Sequence, residues 1–139
     1  MKTTIALLGL VLLAPVVQCQ TRATLSEQKI CSDRAEKMAD RWRHSIKLDN
    51  KDAEVYQTNH FQGGRCLVLI QQDVPHDTKM FRLIDAFENN PIGDYLEWSY
   101  GSKYYDASKP PEVCEVAHQT CSSLSEFRHL VHEKFGLAE

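Results

Sequence analysis

Residues 126–133 read EFRHLVHE, and Glu126, His129, His132 and Glu133 are side chains of the kind that bind zinc or iron. Glu126, His129 and Glu133 fall at i, i+3 and i+7, so a helix places them on one face, with His132 close to one turn from His129. A further ligand would then have to come from outside the helix, with His118 or His44 as the candidates. A thermolysin-type zinc helix spaces its two histidines four apart with the general base between them, and HLVH does not meet that spacing. The phasing of the segment points elsewhere. Leu124, Phe127, Leu130, Val131 and Phe135 gather on one side, and burying each is worth about 1.5–3 kcal/mol. The histidines are therefore expected on the wet face of a docked helix over about 124–135. Ser123 with Glu126 reads as a capping box at its start, and Gly136 reads as its C-terminal cap.

A second set of candidates is spread along the strands. If Tyr56, His60, Asp85, Tyr95 and Glu97 share a sheet face left open by the helices, they make an amphipathic recognition surface. An ordinary wet sheet face explains the same residues. Asp85 is the odd one, because the strand reading of MFRLIDAF (80–87) puts its carboxylate on the apolar face of Phe81, Leu83 and Phe87. Asp85 with Glu97 is also the pair that sugar hydrolysis would require. Nucleophilic catalysis has less to work with: there is no G-x-S-x-G elbow, and Ser122, Ser123 and Ser125 read as capping residues. No catalytic residue is assigned.

The elements that must hold these side chains follow from periodicity. Thr24 and Glu27 form a capping box, after which Cys31, Ala35, Met38, Trp42 and Ile46 repeat at helical spacing, predicting a helix over about 25–46. Strand formers run from Glu54 to Phe61 and from Arg65 to Val74 around Gln62-Gly63-Gly64, a β-hairpin. CLVLI (66–70) is apolar on both faces and belongs mid-sheet, covered on one side and partly closed on the other. Residues 80–87 lean to strand, NNPIG turns into the next, and Leu96, Trp98 and Tyr100 alternate until Gly101. DASKPPE is a loop, and Val113 to Ala117 a short edge strand. The order helix, antiparallel strands, helix predicts an α+β domain. Its helices are expected on one face of a meander sheet of about four or five strands.

Residues 1–19 have a basic start at Lys2, an apolar run from Ile5 to Val17 and Pro15 near its end, the pattern of a signal peptide. Cleavage after Cys19, or after Ala23, leaves a single domain, 20–139 in the first case. Lipid anchoring through Cys19 is the alternative, although Gln18 stands where lipoprotein processing prefers a small residue. Without Lys2 the 16 basic residues become 15 against 19 acidic, a net charge of −4. That balance, with no basic stripe and no glycine-rich phosphate loop, excludes nucleic-acid and nucleotide partners, and no cofactor is expected. Cys31, Cys66, Cys114 and Cys121 read as two disulfides in an oxidising compartment, secreted or periplasmic. Three connectivities are possible, and Cys31–Cys66 with Cys114–Cys121 closes the shortest loops.

YQTNHFQGGRCLVLI, then LIDAFE, and the late cysteine leading into SSLSEF resemble small uncharacterised exported bacterial proteins that combine such a hairpin and cap. The resemblance spans most of the mature chain and implies a fold, with no activity attached to any residue. The functional expectation is an exported, disulfide-stabilised, non-catalytic binding module for a protein, an envelope component or a small ligand. The alternative is a metal-binding protein or hydrolytic enzyme using the last helix or the open sheet face.

Overall fold

A computed structural model describes residues 23–137, so the signal-peptide and Cys19 expectations lie outside the described residues. The chain runs α1 (Leu25–Asp49), β1 (Glu54–Gln62), β2 (Arg65–Asp73), β3 (Thr78–Asp85), β4 (Asn90–Trp98), β5 (Val113–Val116), β6 (Gln119–Thr120) and α2 (Leu124–Phe135). The six strands pair antiparallel in sequence order, a pure meander. α1 begins at the anticipated capping box. Thr24 Oγ1 accepts from the Glu27 amide at 3.2 Å, and the Glu27 carboxylate accepts from the Thr24 amide at 2.8 Å. The helix runs three residues beyond the expected end, to Asp49.

Gly63 and Gly64, with φ of 58° and 79°, form the two-residue turn between β1 and β2, a conformation that glycine adopts without steric cost. Residues 80–85 are strand, as their alternation favours: Phe81, Leu83 and Asp85 face one way and Met80, Arg82 and Ile84 the other. The sheet has six strands because Ala117 and His118 make a tight turn that returns the chain as β6.

The expectation that both helices lie on one face is overturned. α1 packs on one side of the sheet, burying Cys31, Ala35 and Met38 against Val55, Cys66, Val68, Ile70 and Ile84. α2 packs on the other, burying Phe127, Leu130, Val131 and Phe135 against Leu67, Phe81, Leu83, Tyr95 and Val116. CLVLI contains the reason. A strand apolar on both faces needs cover on both, and two terminal helices on opposite sides supply it. Gly93 belongs to the α2 face, where a Cβ would come within 2.8 Å of the Glu115 carbonyl oxygen, so only glycine lets β5 approach this closely.

The disulfides join Cys31 to Cys66 and Cys114 to Cys121, the shortest-loop pairing. The first staples α1 to β2 inside the core, and the second clamps the β5–β6 hairpin.

Candidate functional site

β4 delivers Tyr95 and Glu97 to the α2 face and ends at Trp98, three residues short of Gly101. The Ser99 amide is diverted to the Asp77 carbonyl at 2.8 Å, and Tyr100 is exposed. The connection 99–112 that follows exceeds about 12 residues, a length that compact domains rarely spend on a loop without a function. It is ordered by its own contacts. Trp98 and Tyr104 lie with ring centroids 4.6 Å apart, Tyr100 and Tyr105 at 5.5 Å, and the Trp98 indole donates to Glu112 Oε1 at 2.9 Å. Asp106 Oδ1 accepts from the hydroxyl of Ser108 and from its amide, and the hydroxyl first and then the amide hold its carboxyl below the usual range. Pro110 and Pro111 stiffen the return into β5, which the Cys114–Cys121 disulfide clamps.

Between this loop, β4 and the start of α2 lies an open pocket of about 410 Å³. Trp98, Tyr104 and Tyr105 supply its aromatic lining, Tyr95 and Glu97 line it from the sheet, and Ser122 to Ser125 line it from the helix start. The Tyr95 ring is buried in the core, in contact distance of Phe81 and Phe127, with centroids at 6.0 and 5.7 Å. Its hydroxyl donates to Glu97 Oε2 at 2.5 Å. Burial first, and then this hydrogen bond to a carboxylate, push the Tyr95 hydroxyl well above the ordinary tyrosine range, opposed only by the Leu124 amide. The pair is therefore an uncharged phenol locked onto a carboxylate that remains half-exposed.

Tyr56, His60, Asp85, Tyr95 and Glu97 do lie on one sheet face, as their alternation requires. That face is the one α2 covers, so they do not form an open recognition surface, and only Tyr95 and Glu97 meet. Asp85 and Tyr95 are buried, each 1% exposed. The Asp85 carboxylate accepts from Arg65 Nε at 3.1 Å and from the Phe87 amide at 3.0 Å, which accounts for a carboxylate on an apolar face. Tyr56 is exposed and donates to Glu54 at 2.6 Å beside a narrow groove of about 80 Å³ over Leu69 and Val131. His60 lies in a separate hollow with Gln28, Asn59 and Phe61.

On α2 the histidines lie off the core, as the helical phasing anticipates. His129 Nε2 is 3.9 Å from Glu133 Oε2, both side chains exposed, and His132 is exposed near the helix end. Ser123 caps the helix by accepting from the Glu126 amide at 3.2 Å, but the reciprocal arm of the expected capping box is displaced by one residue. Glu126 accepts instead from the amide and hydroxyl of Ser122, both at 2.8 Å. His118 sits on the β5–β6 turn beside Glu115, and His44 is on α1, across the sheet from α2. Among the described residues, no three His, Cys, Asp or Glu side chains are grouped to hold a metal ion.

The residues that sequence reasoning missed are Trp98, Tyr104, Tyr105 and Glu112. A signal was present in SYGSKYYDAS (99–108), whose tyrosines among small residues match the composition of recognition loops. Comparison of the chain with protein-family models, with curated proteins and with solved structures finds no match.

Proposed function

We propose that this chain is an exported binding module that holds a small ligand in the pocket bounded by the 99–112 loop, β4 and the start of α2. The observation that carries the reading is the pocket's construction. A volume of about 410 Å³ falls in the range of about 300–1,000 Å³ typical of small-molecule sites, and aromatic walls meet a few fixed polar groups there. Binding is favoured over catalysis by how those groups are used. Glu97, Asp106 and Glu112 are each engaged by an internal donor, Tyr95, Ser108 and Trp98 respectively, which orients them as acceptors.

Export is supported by the two disulfides, which belong to an oxidising compartment, and by the leader-like pattern of residues 1–19. Among the described residues, no helix is long and apolar enough to cross a membrane. A secreted or periplasmic protein fits these features, with lipid anchoring at Cys19 as the variant that mass spectrometry of the mature N-terminus decides.

The test is a fragment and metabolite screen on isotope-labelled, disulfide-intact protein read by amide and indole NMR. Binders are expected to shift Trp98, Glu97 and Ser123 together. Shifts that gather instead around Tyr56, Leu69 and Val131 would move the site to the narrow groove, and the pocket reading would be abandoned.

A further inference from the structure

The chemistry of this pocket also limits what enters it. Its carboxylates, Glu97, Asp106 and Glu112, outnumber the one cation in its lining among the described residues, Lys109. Lys109 lies 3.8 Å from Asp106, while Lys79, opposite Glu97 in the β3–β4 ladder, is paired with Asp73 at 3.9 Å, and Lys103 sits 4.7 Å over the Tyr104 ring. An organic cation would find Asp106 already facing Lys109 and the Tyr104 ring already carrying Lys103. An anion would face three carboxylates. Anions are therefore disfavoured.

Donors and acceptors alternate instead. Glu97 Oε1 and Glu112 Oε2 have no hydrogen-bond partner among the described residues, while Lys109 and the Ser125 hydroxyl stand nearby as donors. Trp98, Tyr104 and Tyr105 add ring surface. A ligand satisfying all of this is not anionic, carries several hydroxyls that both donate and accept, and presents an apolar C–H face to an aromatic wall. We infer that the pocket binds a neutral saccharide, with Glu97 and Glu112 accepting from its hydroxyls and the Trp98 and Tyr105 rings packing against its C–H face. This inference rests on the pocket being the ligand site.

The experiment probes the secreted, disulfide-intact protein on a glycan array. NMR titration then follows with the bound neutral saccharides and, in parallel, with simple primary amines and carboxylates. Saccharides are expected to shift the Trp98 indole and Ser123 amide signals. Glu97→Gln and Tyr105→Ala should each weaken binding about tenfold or more while the amide spectrum stays that of the folded parent. His132→Ala should bind as the parent does. If amines or carboxylates shift the pocket signals and saccharides do not, the saccharide inference falls and the pocket remains. If neither moves them, both fall. Full saccharide binding by Glu97→Gln would overturn the contacts assigned to that residue.

Discussion

The Tyr95 hydroxyl donates to Glu97 Oε2 across 2.5 Å along one face of β4, and α2 covers the tyrosine while leaving the glutamate half-exposed. Burial and the adjacent carboxylate raise the folded-state ionisation of Tyr95 above its unfolded value of about 10. The resulting stabilisation is fully present below that value and declines as pH rises past it towards the higher folded value. Denaturation midpoints measured from about pH 9 to 11 should fall more steeply for the parent than for Tyr95→Phe. Tyrosinate absorbance from Tyr95 should develop only with alkaline unfolding. A parent titration whose folded-state amplitude drops by one tyrosine in Tyr95→Phe would contradict this assignment.

Asp85 is held by a partner of unequal exposure, since the Arg65 side chain is 47% exposed and Asp85 only 1%. Removing the carboxylate leaves the Phe87 amide without its acceptor but leaves Arg65 able to find water. Asp85→Ala is therefore expected to cost about 2–3 kcal/mol, below the full cost of stranding a buried charge. Asp85→Asn keeps an acceptor for Phe87 and should cost roughly half as much. Urea denaturation of the two variants checks the order, and equal losses would show that the Phe87 bond contributes nothing.

The elements were largely legible because local signals agree with one another. Thr24 with Glu27 marks the start of α1, the two glycines mark the first hairpin, and five apolar residues in α2 outweigh the ligand-like spacing of its histidines. The side of the sheet each helix takes was not legible from element order. It is fixed by long-range burial on both faces of CLVLI, and the same step placed Tyr95 in the core. The pocket was missed for a related reason. Trp98, Tyr104 and Glu112 converge only once the 99–112 loop folds back on β4, and no period in the chain records such a return.

The two disulfides should separate stability from binding. Cys31–Cys66 links residues 35 apart through the core, whereas Cys114–Cys121 spans only 7 and sits beside the pocket loop. Replacing the first pair with alanine should cost more stability, by about 1 kcal/mol or more on loop length alone. Pocket signals in the remaining folded protein should stay in place. Replacing the second pair should cost less but broaden the Trp98 indole and Ser123 resonances, because the return of the loop into β5 loses its clamp. Calorimetry and NMR on both double variants give the comparison, and a reversed stability order would refute it.

The start of α2 contains two interactions with different pH signatures. Ser123 caps through a neutral hydroxyl, so Ser123→Ala should lower stability by about 1 kcal/mol at every pH. Glu126 is held by the Ser122 amide first and the Ser122 hydroxyl second, with His129 adding to both, and its ionisation is lowered. A carboxyl with a depressed folded value stabilises above its unfolded value of about 4.3 and loses that contribution as pH falls through the folded one. Between about pH 5 and 3, Glu126→Gln should therefore show a shallower loss of stability than the parent, while Ser123→Ala should run parallel to it. Parallel acid limbs for the parent and Glu126→Gln would mean that the Ser122 contacts do not favour the ionised carboxylate, and the displaced cap would then be no stronger than solvent.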